Sequence, residues 1–153
     1  MSIKTVGEYM SRYPFVVEAG SGIREALELM GNNDFRHLPV LEDGEIVGIV
    51  SDRDLKQAKG YDEAGNLLVK DVMNEDIYQV PVGTLLSEVV ETLYQNKIGS
   101  ALVLDRSGSV YGIFTTTDAL RVLADILRDD EFGGRFKVIP IEEYFGASET
   151  VAV

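Results

Sequence analysis

Gly48-Ile49-Val50-Ser51-Asp52-Arg53-Asp54 and Gly112-Ile113-Phe114-Thr115-Thr116-Thr117-Asp118 are two copies of one pattern: glycine, two apolar residues, a hydroxyl, two spacers and an aspartate. Leu55 follows the first copy and Ala119-Leu120 the second. The apolar pair fits the end of a buried strand, and a hydroxyl with an acid three residues on fits the first turn of a helix. Each copy is therefore predicted to be a strand-to-helix junction. Two chemistries suit such a junction. In one, hydroxyl and carboxylate cap the helix and satisfy its unpaired N–H groups. In the other, those N–H groups and the positive end of the helix dipole hold an anion such as phosphate, and the aspartate accepts from a ribose diol.

The repetition extends outward on both sides. Val6 to Met10 reads as a short helical turn and Phe15 to Val17 as a brief strand. Ile23, Ala26, Leu27 and Met30 then have the spacing of an amphipathic helix, with Ser21 as its expected cap and Gly31-Asn32 as its expected end. The strands His37–Leu41 and Glu45–Val50 flank Asp43-Gly44, a dipeptide suited to the positive φ values of a tight hairpin. From Leu68 the order recurs: Val69–Met73 matches Val6–Met10, Tyr78–Val80 matches Phe15–Val17, and Leu86, Val89, Val90 and Leu93 repeat the stripe. Ile98–Leu104 matches Phe35–Leu41, and Ser107-Gly108 replaces the Asp-Gly turn. The offset is 63 residues from Val17 to Val80 and 64 from Gly48 to Gly112, so one residue is gained beside that turn. A repeat of this length is a doubled domain. The expected organisation is a first unit over 1–60, a polar linker over 61–67, a second unit over 68–130 and a tail over 131–153. The two units are expected to pack through their apolar sheet faces with pseudo-twofold symmetry, which leaves a cleft at the seam.

Composition narrows the function. The 153 residues are 45% apolar and 26% charged, ordinary for a soluble protein with a real core. There is no cysteine, which excludes disulfides, thiolate metal sites and a cysteine nucleophile. A net charge of −12 disfavours nucleic acid and anionic membranes as partners. No stretch approaches the roughly 18 apolar residues of a membrane helix, and the N-terminus lacks a signal-peptide run, so a cytoplasmic location is expected. Neither a nucleophile with its base, nor HExxH, nor a Walker loop, nor a nucleophile elbow is present, so no enzymatic activity is expected.

The stretches RHLPVLEDGEIVGIVSDRDL and GSALVLDRSGSVYGIFTTTDAL resemble the CBS domain, the module named after cystathionine β-synthase, and together they resemble the tandem pair called a Bateman module. The resemblance covers about Val6 to about Arg128. It implies an α+β fold of two βαββα units, paired further into a homodimer, that binds adenosine derivatives and regulates a separate, unidentified protein target. It places the ribose-binding carboxylate at Asp54 in a first site and Asp118 in a second, the phosphate-binding hydroxyls at Ser51 and Thr115, and phosphate-reaching spacers at Arg53 and Thr117. In the first site adenine is expected against Tyr13, Phe15 and Val16, and across it Arg36, His37, Leu38 and Pro39. In the second, the matching positions are Ile77, Tyr78 and Gln79, with Gly99, Ser100, Ala101 and Leu102. Arg36, His37 and Arg53 suit a di- or triphosphate in the first site, and the second suits a monophosphate or uncharged tail; Arg36 and His37 are also positioned to reach across the cleft.

The expected ligand is AMP, ADP or ATP, with S-adenosylmethionine or NAD as lesser candidates. Magnesium is expected only with a bound nucleotide, because Asp52 and Asp54 do not share a helix face. The alternative is a dimerisation scaffold with vestigial ligand sites. Gly20–Ala26 looks superficially like GxGxxG but lacks the third glycine and reads as a turn. His37 suits packing at a strand start, a phosphate contact or pH sensing. Beyond Asp118, Leu120, Leu123, Ala124 and Leu127 form one helical stripe with Val122 and Ile126 off it, a pattern that suits either burial or a second subunit. The VIPI stretch in the tail suits an edge strand, a cap on the seam or a docking segment, and Phe136 to Phe145 is the expected docking region for the target.

Overall fold

The computed structural model describes residues 3–12 and 14–132. Tyr13 and the VIPI tail lie outside the described residues. Residues up to Ala119 form one unit, and a second begins at Leu120.

The first repeat runs α1 (Val6–Tyr9), β1 (Ser11–Arg12), β2 (Val17–Glu18), α2 (Ile23–Asn33), β3 (His37–Glu42), β4 (Glu45–Ser51) and α3 (Asp52–Lys59). The second runs α4 (Val69–Val72), β5 (Gln79–Pro81), α5 (Leu86–Asn96), β6 (Ser100–Leu104), β7 (Val110–Thr115) and α6 (Thr116–Phe132). The βαββα order is present twice. One sheet has the strand order β2-β3-β4 and the other β1-β7-β6-β5. In both, the strand before the crossover helix, β2 or β5, runs parallel to the hairpin's first strand, β3 or β6. The hairpins are antiparallel. Asp43 and Gly44 have φ of 50° and 80°, the primed-turn geometry that matches strand twist. Leu41 faces Ile46 whereas Leu104 faces Val110, so the residue gained in the second repeat sits in its hairpin loop. There the Asp105 carboxylate accepts from the Ser107 and Ser109 N–H groups at 2.8 and 3.0 Å.

Local endings differ from expectation in three places. Helix α2 is capped at Gly22 without a side-chain bond, and Ser21 instead offers its carbonyl to the Val69 N–H at 2.8 Å. The helix runs through Gly31 and Asn32 and ends on Asp34, whose left-handed φ of 57° lets the N–H groups of Asp34 and Phe35 converge on the Met30 carbonyl. Lys97 closes α5 in the same way with φ 54°. Strand pairing starts at Val17, not Phe15; Phe15 and Val16 are 50% and 42% exposed.

The lead-in helices are exchanged between the repeats. Helix α1 donates from Val6 and Gly7 to the carbonyls of Thr84 and Val82, around the turn that precedes α5. Helix α4 donates from Val69 and Lys70 to Ser21 and Ala19, the equivalent turn before α2. Beyond α1, β1 pairs with β7 (Ser11 opposite Ile113); beyond α4, Asn74 bridges to Ile49 on β4. Val69 is accordingly part of the first repeat's core, with Ile23, Met30, Leu38, Val40, Val50 and Leu55. The motif glycines admit this crossing. A Cβ on Gly48 would lie 2.6 Å from Met73 Sδ and 3.0 Å from the Asn74 carbonyl, and one on Gly112 would lie 2.6 Å from both Met10 Sδ and the Ser11 carbonyl. Gly7 is likewise required at its docking turn, where a Cβ would lie 2.4 Å from Val82 Cγ2.

The polar linker is pinned rather than featureless. Asp62 is buried; its Oδ1 accepts from the Asn66 and Leu67 N–H groups at 2.9 and 3.2 Å. On α6, Leu120, Leu123 and Leu127 of the apolar stripe are exposed, as is Ile126 off it, and Val122 is buried. No helix of the described residues is long and apolar enough to cross a membrane.

Candidate functional site

Because the lead-ins are exchanged, each cleft takes one wall from each repeat. The larger, of about 450 Å³, joins Pro14, Phe15, Phe35, Arg36, His37 and Leu38 of the first repeat to Ile113, Thr115, Thr117 and Asp118 of the second, with Ser11 and Arg12 beside β7 and Asp34 at the end of α2. The smaller, of about 320 Å³, joins Ile49, Ser51, Arg53 and Asp54 of the first to Asn74, Asp76, Ile77, Tyr78, Lys97, Ile98, Gly99 and Ser100 of the second, and His37 also borders it. A third depression, of about 500 Å³, lies where Arg36, Asp52, Arg53 and Lys56 approach Gly99, Thr116 and Thr117.

This corrects the expected grouping by repeat. Phe15, Arg36 and Leu38 line the cleft of Asp118, not that of Asp54, Ile77, Tyr78, Gly99 and Ser100 line that of Asp54, not that of Asp118, and His37 lines both. The physical cause is the crossing of α1–β1 and α4, which carries each lead-in onto the sheet of the other repeat. Val16, Pro39, Gln79, Ala101 and Leu102 line neither cleft. Pro39, Ala101 and Leu102 lie further along β3 and β6, buried in the sheet, and only the first residues of those strands reach the clefts. Arg12, Asp34, Phe35, Asn74, Asp76 and Lys97 are wall residues the sequence patterns did not single out. Asp34 and Lys97 hold the same left-handed position in the two repeats with opposite charge.

The two strand-to-helix junctions share a backbone frame. Asp52 N–H donates to the Arg36 carbonyl at 2.9 Å, and Thr116 N–H to the Gly99 carbonyl at 3.0 Å. The aspartates, however, are differently engaged. Asp118 closes a full capping box: its Oδ2 accepts from Thr115 N–H at 2.9 Å and from the Thr115 hydroxyl at 3.1 Å, and its own N–H donates to Thr115 Oγ1 at 3.3 Å. At the other junction Ser51 Oγ accepts from Asp54 N–H at 3.1 Å, and among the described residues no hydrogen bond is made by the Asp54 carboxylate. The capping chemistry is therefore realised at both junctions, but only Asp54 keeps its carboxylate available.

Aromatic and basic groups complete the walls. Phe15 packs on Phe35 with ring centroids 4.8 Å apart and ring planes tilted by 43°, which makes this wall aromatic and apolar. Arg12 lies over the Tyr111 ring, 5.7 Å from its centroid. Arg36 and Lys56 flank the Asp52 carboxylate at 3.9 and 3.1 Å. Burial holds the His37 imidazole below its ordinary pKa of 6.5, against the opposing influence of Asp52 and Asp54 and with a small contribution from Arg36. Its Nδ1 is buried without a hydrogen-bond partner. No group of three or more His, Asp or Glu side chains suited to a metal ion occurs among the described residues.

The family model for the CBS domain matches the chain twice, over residues 6–60 and 69–125. Among curated proteins, the uncharacterized protein MJ1225 of Methanocaldococcus jannaschii is 27% identical over 133 residues, covering 79% of this chain and 48% of that protein. The chain thus spans about half the length of that relative. Among solved structures, a putative acetoin utilization protein (AcuB) from Vibrio cholerae matches with 26% identity and a TM-score of 0.72 over 85% of this chain and 97% of its own. CBSX2 of Arabidopsis thaliana, solved in complex with AMP, matches with 28% identity and a TM-score of 0.66 over 81% of this chain and 98% of its own.

Proposed function

Because the chain belongs to the CBS domain family, we propose that it is a regulatory sensor that binds an adenosine derivative, AMP, ADP or ATP, in the clefts between its repeats and signals to a separate protein. The observation that carries this reading is the composition of the clefts. Each sets a hydroxyl–aspartate junction of one repeat opposite the lead-in and first hairpin strand of the other. The aspartate suits a ribose diol, the helix start with its hydroxyl suits a phosphate, and Phe15 or Tyr78 suits the base. The AMP complex of CBSX2 supports the ligand class.

Signalling follows from the same exchange. A ligand touching both walls of a cleft binds most tightly at one spacing of the repeats, so its binding free energy favours that arrangement over others. The exposed Leu120, Leu123 and Leu127 of α6 support pairing with a second copy of the chain. Light scattering of the purified chain tests that pairing, and a monomeric mass refutes it.

The scaffold reading has one observation in its favour: both hydroxyls are already used as helix caps. Thermal shift separates the two. With AMP, ADP, ATP with and without magnesium, S-adenosylmethionine, NAD and a GTP control, ligand at about a hundred times its Kd raises stability by about 2.7 kcal/mol. The sensor reading expects an adenine-selective shift that Asp54→Ala combined with Asp118→Ala removes. A flat panel supports the scaffold instead.

A further inference from the structure

His37 alone among the described residues lines both clefts, and it also borders the depression between them. It stands at the start of β3, paired with Ser51. The equivalent residue of the second repeat is Ser100, paired with Thr115. Serine is shorter than histidine, so the pseudo-symmetry is broken at this point. Gly99 makes the span possible: a Cβ at that position would lie 2.6 Å from His37 Nε2 and 3.2 Å from Cε1. The ring is thus seated on the backbone of the opposite repeat, with Nε2 toward Gly99.

Its other nitrogen, Nδ1, is shielded from solvent and unpaired. A buried polar atom without a partner is unfavourable, and a ligand group that pairs with it gains accordingly. An imidazole nitrogen has a single hydrogen-bonding site, so a ligand group that takes Nδ1 from one cleft leaves none for a ligand in the other. We infer that His37 is a positioning residue shared by the two clefts, and that it couples them negatively, so that a ligand engaging the ring from one cleft weakens binding in the other. The inference rests on the clefts binding an adenosine ligand. Linkage makes the coupling reciprocal: whichever cleft fills first, the second loses the same factor.

Calorimetry with AMP tests this. Asp54→Ala leaves the Asp118 cleft to report its own affinity, and Asp118→Ala leaves the Asp54 cleft. The product of the two binding constants in the unsubstituted chain is expected to fall about fivefold or more below the product of these separate constants. Adding His37→Leu, which keeps the bulk and removes Nδ1, is expected to bring the two products together. Equal products in the unsubstituted chain, or a deficit that survives His37→Leu, overturn the coupling. Should loss of the Asp118 cap unfold that variant, the chain's sole histidine supplies a second measurement. The Cε1–H proton resonance of His37 is expected to move in two phases as AMP fills the clefts, and a single phase or none overturns the inference. Absence of any AMP heat refutes the nucleotide reading itself and this inference with it. Heat from two independent clefts removes the coupling alone.

Discussion

Replacing Gly112 by alanine tests whether the motif glycines exist to let the exchanged lead-ins through. Neither Gly48 nor Gly112 has a positive φ. On backbone grounds alone, Gly→Ala at such positions stabilises by about 0.4–1 kcal/mol, through the unfolded chain. Contact opposes that gain unequally. At Gly48 the new methyl meets the flexible Met73 thioether at 2.6 Å and the Asn74 carbonyl at 3.0 Å, which needs only a few tenths of an ångström of give. At Gly112 it meets the Ser11 carbonyl at 2.6 Å, and Ser11 is fixed in the β1–β7 ladder. Overpacking costs about 1–3 kcal/mol, with the rigid backbone contact at the upper end. We expect Gly48→Ala to lie within about 1 kcal/mol of the unsubstituted chain, and Gly112→Ala to lose about 2 kcal/mol net, or roughly 4–8 °C in Tm. Urea and thermal melts followed by circular dichroism measure both. Met73→Ala is expected to relieve Gly48→Ala in a double-mutant cycle, whereas Met10→Ala is not expected to relieve Gly112→Ala, since the Ser11 carbonyl remains. A Gly112→Ala chain as stable as the original would refute the interlock.

The depressed His37 pKa means that below pH 6.5 the unfolded chain binds a proton that the folded chain resists, so stability falls as pH drops from 6.5 toward the lowered value. The stability of the unsubstituted chain relative to His37→Leu is expected to fall from pH 7 to 5; a constant difference contradicts the burial of a neutral ring. Asp62→Ala, which orphans the Asn66 and Leu67 N–H groups, is expected to cost about 1–3 kcal/mol and to speed hydrogen exchange across the linker. Unchanged exchange there would show that the pin is dispensable.

What was legible in the sequence follows physical range. The hairpin at Asp43-Gly44 is dictated by two adjacent residues and by alternation on either side, so local pattern suffices. The duplication is equally plain, since Ile23–Met30 and Leu86–Leu93 carry the same stripe. The exchange is not local. Four-residue helices such as α1 and α4 look alike whichever repeat they dock on, and only tertiary contact distinguishes the choices. The lead-in residues Phe15, Ile77 and Tyr78 were grouped with the wrong cleft through that ambiguity. One trace was nevertheless present in Gly7, where a Cβ would lie 2.4 Å from Val82 Cγ2 in the other repeat's turn. The α6 stripe stayed open between two readings for a related reason, since periodicity finds an apolar face but not what covers it.

The exchange also changes which cleft should fill first. Grouped by repeat, Arg36, His37 and Arg53 fall together and favour a first site for polyphosphates. Grouped in space, the larger cleft holds Arg12 and Arg36 with Asp34 and Asp118, and the smaller holds Arg53 and Lys97 with Asp54 and Asp76. Formal charge is therefore balanced between them, and the difference lies in the aspartates. A ribose bound at Asp118 must compete with the Thr115 N–H and hydroxyl already held by that carboxylate, whereas at Asp54 the carboxylate gives up no hydrogen bond. Losing one such bond costs about 0.5–1.5 kcal/mol, or about two- to tenfold in affinity. AMP is accordingly expected to fill the smaller, Asp54 cleft first. Asp54→Ala should then remove the tighter phase of the isotherm with little change in Tm. Asp118→Ala should remove the weaker phase and, by breaking the capping box, lower stability by about 0.5–2 kcal/mol. If Asp118→Ala removes the tighter phase, the cap does not compete with the ribose, and the larger cleft with its Phe15–Phe35 wall dominates binding.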